Sequence, residues 1–389
     1  MTLPALPWTR WDGLRALVDA LGAEECRYVG GCVRDALLNV AAQDIDIATR
    51  HAPDAVMRTL NNAGIRTIPT GLDHGTVTAL LPEASVEITT LRRDVATDGR
   101  HATIAFTDDW REDAARRDFT INALYAHPGT LAIDDYFGGL DDLKAGIVRF
   151  IGDARTRIAE DHLRILRYFR FEARFGNGAP DAEAVAACRD CAPTLMGLSR
   201  ERIGQELRRL LALPRPAETV RRMADLGVLR VILPESGTDE RDTLSRLIEA
   251  EDAAGIAPDA MRRLAALLPP RRDVAAQVAA RLRLSNAQKK RLISAAEREA
   301  GDAANPRGLL FRLGRERAED RLLLLGASVR PIAGWEPPAF AIDGRAVMAA
   351  GVEKGPAIAA ILHRVQARWI DEGFPGPDRT HAILREEVG

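Results

Sequence analysis

The sequence is poor in lysine, cysteine and aromatic residues, and it has no long apolar run. Of its 389 residues only four are lysine, so arginine supplies nearly all of the positive charge. Arginine suits bidentate contact with phosphate, and local basic patches can bind nucleic acid even at a formal net charge of −2. No stretch is apolar enough to span a membrane, and the first residues do not resemble a signal peptide. We expect a soluble cytoplasmic protein with no membrane association and no obligatory protein partner.

The four cysteines include one close pair, Cys188 and Cys191, in the segment CRDC. A structural zinc site needs four ligands, and no second Cys pair or pair of histidines accompanies this one. The pair is therefore interpreted as two thiols on one helix.

Two regions of different character follow one another along the chain. Up to about residue 140, helical periodicity is interspersed with short alternating segments typical of strands. Beyond residue 150, Leu/Ala/Arg periodicity predicts helices almost throughout. The expected fold is α+β: a head (1–140) with a small, mixed, largely antiparallel sheet of about five strands. Three helical regions follow, at 141–212, 213–330 and 331–389.

A Gly-Gly turn lies between a predicted strand and a predicted helix in the head. Gly30 and Gly31 lack β-carbons, so a ligand can approach the backbone, and the free N–H groups of a helix start attract phosphate. Arg34 follows one helical turn later, where its side chain would reach the same anion. The alternative is an ordinary tight turn.

The next predicted strand, QDIDI, carries two carboxylates. Asp44 and Asp46 are two residues apart, so both project from the same face of the strand, while Ile45 and Ile47 face the core. Two adjacent carboxylates repel each other unless a cation lies between them, and hard oxygen ligands near a phosphate site favour Mg²⁺. The alternative is a solvated strand face. Glu87, in the strand SVEIT, is a possible third carboxylate.

Together these segments resemble the signature of the polymerase-beta-like nucleotidyltransferases, in which two acids hold the metals for phosphoryl transfer. Further blocks resemble the class II tRNA nucleotidyltransferases and their poly(A) polymerase relatives. The segment RRDFTIN resembles the family's ribose-recognising block and implies that Arg117, Asp118 and Asn122 bind the nucleotide. Asp135, Gly139 and Arg149 match the spacing of the family's hinge element. The segment LSRERIGQELRRLL (198–211) resembles a block that braces neighbouring helices.

The segment EDHLR matches another block of the family and can also be interpreted chemically. Taken as one helix, it places Asp161 and Arg164 on a shared face. An aspartate accepts and an arginine donates, which matches the amino group and ring nitrogen of cytosine and adenine and excludes guanine and uracil. Arg167 and Arg170 continue this face, with Arg174, as candidate contacts for triphosphate or RNA. The alternative is a surface helix with ordinary ion pairs.

The resemblance implies template-independent addition of CCA to the 3′ end of tRNA, with CTP and ATP as substrates and Mg²⁺ as cofactor. It also implies a catalytic head (1–140), a base-recognising neck (141–212), an RNA-binding body (213–330) and a tail (331–389). Two arginine-rich segments, 200–222 and 261–291, are candidate tRNA contacts or merely solvated helix faces.

Several alternatives to full CCA addition stay open from the sequence. The polar segment 92–106, which contains Arg92, Arg93, Asp94 and Arg100, is predicted to be a mobile loop and favours CCA or A addition. Restriction to CC addition is a weaker alternative, because the family's CC-adding members tend to lack the full length of this segment. Poly(A) polymerase activity is also weaker, because no GRRF-type segment follows the DxD strand. A non-catalytic RNA-binding protein is disfavoured by the presence of both Asp44 and Asp46. A further alternative, a synthase of signalling nucleotides, is disfavoured because it would not explain the long basic helical body.

Overall fold

The computed structural model describes residues 1–42, 44–98 and 101–389, with the backbone alone for 94–98 and 101–103. The chain forms two compact units, one of Met1–Leu210 with Glu218–Ile232 and one of Leu211–Ala217 with Leu233–Gly389. The first unit contains the strands, which are β1 (Cys26–Val29), β2 (Ile45–Thr49), β3 (Arg66–Gly71), β4 (Thr76–Leu80), β5 (Ser85–Thr90), β6 (Arg92–Asp98), β7 (His101–Phe106), β8 (Leu124–Ala126) and β9 (Ile133–Asp135).

Within the described residues, seven strands form one sheet in the order β3-β4-β5-β2-β1-β8-β9. Strands β2 and β5 run parallel, and the other neighbouring pairs are antiparallel. The α+β fold and its mixed, largely antiparallel sheet are therefore confirmed. The sheet is larger than the five strands expected, because β8 and β9 join one edge. Strand β8 is three residues long and buried throughout, so it shows none of the alternation that marks a half-buried strand.

Residues 92–98 and 101–106 form two paired strands, so the prediction of a loop is wrong for these described residues. Strands β6 and β7 form a separate two-stranded antiparallel sheet, with a register irregularity between Asp94 and Ala96. The physical reason is backbone pairing. A ladder of N–H to C=O hydrogen bonds satisfies the polar backbone even where the sequence is rich in Arg, Asp and Thr. Arg100 lies outside the described residues.

Helices alternate with the strands of the head, and among the described elements only helices follow β9. Up to residue 232 the α-helices are α1 (Asp12–Leu21), α2 (Gly31–Leu37), α3 (Pro53–Asn62), α4 (Trp110–Ala115), α5 (Gly139–Ala145), α6 (Ala154–Glu160), α7 (Arg164–Phe175), α8 (Ala182–Cys191), α9 (Arg200–Leu211), α10 (Ala217–Asp225) and α11 (Val228–Ile232).

An aromatic cluster packs α7 against the head. The ring centroid of Phe119 lies 4.9 Å from that of Phe150 and 5.2 Å from that of Phe171, and Tyr168 stacks on Phe150 at 5.8 Å. All four rings are buried. Burying side chains of this size stabilises the contact by roughly 1.5–3 kcal/mol each. The cluster therefore fixes the position of α7 beside the sheet.

The three residues of the predicted hinge element, Asp135, Gly139 and Arg149, each make contacts that explain their positions. The carboxylate of Asp135 accepts hydrogen bonds from the backbone N–H groups of Phe137, Gly139 and Leu140 and thereby caps the start of α5. A β-carbon on Gly139 would lie 2.3 Å from the carbonyl oxygen of Thr120, so only glycine fits there. Arg149, the last residue of the block, donates to the Asp142 carboxylate at 3.1 Å.

The second unit is helical. From residue 233 onward the α-helices are α12 (Thr238–Ala254), α13 (Ala260–Ala266), α14 (Arg272–Arg281), α15 (Asn286–Ala296), α16 (Ala300–Ala304), α17 (Pro306–Leu313), α18 (Arg315–Leu324), α19 (Gly344–Ala349), α20 (Pro356–Asp371) and α21 (Pro377–Val388).

Two internal features hold this unit together. A buried ion-pair cluster joins Glu251 to Arg262 and Arg263, and Asp320 to Arg262. A separate apolar cluster, which includes Ile342, Val365 and Trp369, packs the last three helices together. The finer boundaries at residues 140 and 330 stay predictions. Among the described residues, no helix combines the length and the apolar character that crossing a membrane requires.

Candidate functional site

The Gly-Gly turn connects β1 to α2 as the sequence predicts. Gly30 has a φ of +72°, a backbone conformation that glycine adopts readily, and it is the N-cap residue of α2. Arg34, one turn into α2, is buried and contacts Asp35 with its Nη2 atom at 2.7 Å. Its Nη1 atom donates to the side-chain oxygen of Asn122. The turn and the RRD block therefore meet at Arg34.

The two carboxylates of the DxD segment behave as predicted from strand alternation. Asp44 is exposed directly before β2 and Asp46 is half-buried within it, while Ile45 and Ile47 are buried. Asp46 pairs in register with Glu87 on the parallel strand β5. Burial, and then the charges of Glu87 and Asp44, raise the pKa of Asp46 to about 6, although Arg117 opposes the rise. A cation between these acids would relieve that repulsion.

Asp118 and Asn122 form a hydrogen-bonded chain between the turn and α7. One oxygen of Asp118 accepts from the side-chain nitrogen of Asn122 at 3.0 Å and from the backbone N–H of Phe119. The other oxygen accepts from two nitrogens of Arg167, with Nε at 2.7 Å. Burial alone would raise the pKa of Asp118, but the charge of Arg167 and these hydrogen bonds hold it below its ordinary value. Asp118 is therefore an ionised acceptor that connects head and neck.

The EDHLR segment is not one continuous helix. Helix α6 ends at Glu160, Asp161 is extended with a φ of −152°, and α7 begins at Arg164. The side chain of Asp161 accepts from the backbone N–H of Leu163 at 3.1 Å. This local hydrogen bond competes with helix continuation, which is typical of aspartate. The predicted shared helical face is therefore wrong.

Asp161 and Arg164 nevertheless line the same cleft, each with a different partner. Asp161 Oδ2 accepts from Arg202 Nη2 at 2.7 Å, whereas Arg164 pairs with the Glu160 carboxylate. Arg164 also donates to the carbonyl oxygen of Arg157 at 2.8 Å. A guanidinium has five N–H donors, so these contacts leave donors of Arg164 available to a ligand.

A cleft of about 750 Å³ brings these side chains together within the first unit. Its lining includes eleven of the predicted residues, namely Gly30, Gly31, Arg34, Asp44, Asp46, Arg117, Asp118, Asn122, Asp161, Arg164 and Arg167. Five further residues line the cleft that were not predicted to bind the nucleotide, namely Arg92, Arg116, Leu163, Phe171 and Arg202. Seven arginines and four aspartates therefore face one volume, which suits a polyanionic ligand with associated cations.

Arg170 and Arg174 do not line this cleft. Arg170 donates to the buried carboxylate of Glu206 on α9 at 2.6 Å, and Arg174 donates to Asp35 on α2 at 3.0 Å. Both guanidiniums also lie over aromatic rings of α7. Their contacts brace α7 against its neighbours, and binding of nucleotide by Arg170 stays a prediction.

Ion pairs within the chain involve six of the seven arginines in 261–291 and at least three of the seven in 200–222. In 261–291 the paired arginines are Arg262, Arg263, Arg271, Arg272, Arg281 and Arg291. In 200–222 they include Arg202, Arg209 and Arg222. Arg262 and Arg263 are buried in these pairs, whereas Arg271 and Arg272 are paired at the surface. Arg283, Lys289 and Lys290 are exposed, and contact of either segment with RNA stays a prediction.

No group of three or more His, Cys, Asp or Glu side chains within the described part of the chain is arranged to hold a metal ion. Mg²⁺ is commonly bound through one or two carboxylates together with water and substrate phosphates, rather than in a cage made only of protein ligands. The Asp44–Asp46 pair fits that donor set.

Comparison with known families agrees with this geometry. Residues 26–149 match the family described as "Poly A polymerase head domain", and residues 179–237 match "Probable RNA and SrmB- binding site of polymerase A". Among solved structures, the CCA-adding enzyme of Bacillus stearothermophilus in complex with CTP superposes with a TM-score of 0.79 at 25% identity, covering 98% of each chain.

Curated relatives extend the similarity along almost the whole chain. The chain is 37% identical to human (Homo sapiens) CCA tRNA nucleotidyltransferase 1, mitochondrial, over 388 residues, which cover 93% of this chain and 87% of the relative. It is 41% identical to the CCA-adding enzyme of Streptococcus sanguinis (strain SK36) over 218 residues, or 55% of this chain and 53% of that one. The chain therefore belongs to the CCA tRNA nucleotidyltransferase family and is a nucleotidyltransferase.

Proposed function

We propose that this enzyme adds C, C and A to the 3′ end of tRNA without a template, uses CTP and ATP as substrates, and releases pyrophosphate. One observation carries the proposal. A single cleft contains both a carboxylate pair suited to metal-assisted nucleotidyl transfer and an acid and an arginine suited to reading a base. The relatives named as CCA-adding enzymes, one of them solved with CTP, support the same activity.

A nucleotidyltransferase of this family uses a divalent metal, and we assign Mg²⁺ to Asp44 and Asp46. When bound, the metal would stabilise the charge that develops on the α-phosphate and the leaving pyrophosphate. Asp46 lies within β2, whereas Asp44 lies just before the strand. Glu87 faces Asp46 across the parallel pair and is a candidate third acid.

The positive side chains of the cleft would bind the triphosphate. Gly30 and Gly31 open the backbone at the start of α2, and Arg34 and Arg117 line the same wall. Charge-assisted hydrogen bonds from arginine to phosphate are strong and directional. Asp118 and Asn122 lie next to this wall, where they would meet the ribose. Arg167, held by Asp118, would contact the nucleotide from the neck.

Base selection would depend on Asp161 and Arg164. Cytosine and adenine present an amino donor beside a ring-nitrogen acceptor, whereas guanine and uracil present a carbonyl beside a ring N–H. Asp161 accepts and Arg164 donates, so a buried mismatch with G or U costs about 1–3 kcal/mol. The break between α6 and α7 keeps both side chains at the cleft.

The end product separates this proposal from its alternatives. A tRNA transcript that lacks CCA is incubated with all four nucleotides and Mg²⁺, and the added residues are sequenced. We expect extension by C, C and A, followed by a stop. A long A tail would instead identify a poly(A) polymerase, and extension that ends after CC would identify a CC-adding enzyme. A cytoplasmic location and the absence of an obligatory protein partner stay predictions.

A further inference from the structure

Asp113 is a buried acid that the proposed reaction does not use, although its partners reach the cleft. It lies in α4 with 1% of its surface exposed. Its Oδ1 atom accepts from Arg116 Nε at 2.9 Å and from the backbone N–H of Arg92 at 3.2 Å. Its Oδ2 atom accepts from Arg117 Nη2 at 3.1 Å and from the Tyr125 hydroxyl at 2.6 Å.

The carboxylate therefore accepts from four residues, two on each oxygen. Three of these residues, Arg92, Arg116 and Arg117, line the cleft. Burial alone would raise the pKa of Asp113, but Arg117, Arg116 and the Tyr125 hydroxyl lower it to about 2. The group is therefore a permanent anion at neutral pH.

Arg117 is fixed from two directions. Its Nη2 atom donates to Asp113, and its Nε atom donates to the Tyr125 hydroxyl at 3.0 Å. Its Nη1 atom lies on the side of the glycine turn, 3.5 Å from the point that a β-carbon on Gly30 would occupy. A guanidinium held at two of its nitrogens loses less entropy when the third binds an anion.

We propose that Asp113 is a positioning residue for binding of the nucleoside triphosphate. Its carboxylate orients Arg116 and Arg117 toward the cleft and anchors Arg92, the first residue of β6. The inference depends on the proposed function only in taking a nucleoside triphosphate as the ligand. Asp113 itself touches no substrate and acts through the arginines.

The test separates positioning from simple support of the fold. Asp113→Asn keeps the shape of the side chain but removes its charge. Glu251→Gln is the matched control, because Glu251 is also buried and pairs with two arginines, Arg262 and Arg263, neither of which lines the cleft. The readouts are the melting temperature, the Kd for CTP without RNA, and kcat and KM for CTP at saturating tRNA, all measured well below both melting points.

We expect Asp113→Asn to raise the Kd and KM for CTP about ten- to a hundredfold, with a smaller change in kcat. Glu251→Gln should lower the melting temperature and leave the Kd and KM unchanged. Wild-type CTP affinity in folded Asp113→Asn would overturn the proposal, and so would an equal loss of affinity in Glu251→Gln.

Tyr125→Phe provides a second variant in case Asp113→Asn does not fold. It removes one donor to Asp113 and one acceptor for Arg117, so the Kd for CTP should rise severalfold, and an unchanged Kd would overturn the proposal. Because CTP binding is measured without RNA, this result is independent of the proposed tRNA substrate. An enzyme that binds CTP but extends no tRNA would contradict the proposed function and leave the role of Asp113 intact.

Discussion

Asp161 accepts a hydrogen bond from Arg202, with Oδ2 and Nη2 separated by 2.7 Å, although the two residues are 41 positions apart in the chain. Arg202 lies in the first turn of α9, and Asp161 lies at the break between α6 and α7. The pairing, together with the backbone N–H of Leu163, fixes the orientation of the carboxylate at the cleft wall.

The first prediction concerns base selection by Asp161. Replacing it with alanine removes the acceptor for the amino group of C or A and leaves Arg164 to meet a carbonyl of U or G. Discrimination should fall about ten- to a hundredfold. The measurement is the ratio of UTP and GTP incorporation to CTP and ATP incorporation. Asp190→Ala is the control, since that acid is paired with Arg155 and does not line the cleft. A fixed ratio with lower total activity would make Asp161 structural.

The second prediction concerns the metal-binding acids. Asp44→Ala or Asp46→Ala should reduce the incorporation of both C and A by at least about a thousandfold, or on the order of 4 kcal/mol of barrier. The far-UV circular dichroism should not change, because both side chains face the cleft. Asp54→Ala, at an exposed acid of α3, should retain full activity. Near-normal turnover by either cleft variant with Mg²⁺ would contradict the assignment.

The raised pKa of Asp46 predicts a pH-dependent difference in stability. Because the folded-state pKa of about 6 exceeds the ordinary value of 3.8, ionising Asp46 destabilises the metal-free fold as the pH rises from about 4 to about 6. Above that range the whole penalty is present. In a chelator, Asp46→Asn should therefore melt higher than the wild type at pH 7, with the difference disappearing near pH 4. A pH-independent difference, or a less stable variant at pH 7, would contradict this assignment.

The hairpin prediction concerns the change from C to A addition. Residues 95–103 are replaced by Asn-Gly, which joins Asp94 to its register partner Ile104 through a two-residue turn. The retained base preserves the Arg92 backbone contact with Asp113. If the hairpin reshapes the pocket, CC addition should persist and A addition should be lost. Equal loss of both activities would identify the hairpin as a general structural element.

The part of the site that lies in the head could be predicted from the sequence, because the patterns that mark it are local. Alternation in QDIDI places the carboxylates, and the glycine pair places the turn before α2, and neither depends on distant contacts. The EDHLR break was missed because the segment contains no Gly or Pro, and the side chain of Asp161 itself ends the helix. Arg202 lies 41 residues from its partner, so only packing of the neck helices brings the two together.

The arginines that form ion pairs also could not be identified from the sequence. Composition alone does not distinguish a solvated basic face from an arginine buried against an acid that is distant in the sequence. Arg263 is fully buried, pairs with Glu251 and donates to the carbonyl oxygen of Leu211, whereas Lys289 is exposed. The spacing of acidic and basic residues along the chain does not indicate which of them pair in the folded protein.

The stepwise extension of defined tRNA ends tests the central claim most directly. Transcripts that end before CC, after the first C and after CC are each incubated with Mg²⁺ and one labelled nucleotide. We expect CTP to extend the first two transcripts, ATP to extend only the third, and UTP and GTP to extend none at a comparable rate. Extension of the third transcript alone would identify an A-adding enzyme. Failure of ATP to extend the transcript that ends in CC would contradict CCA addition.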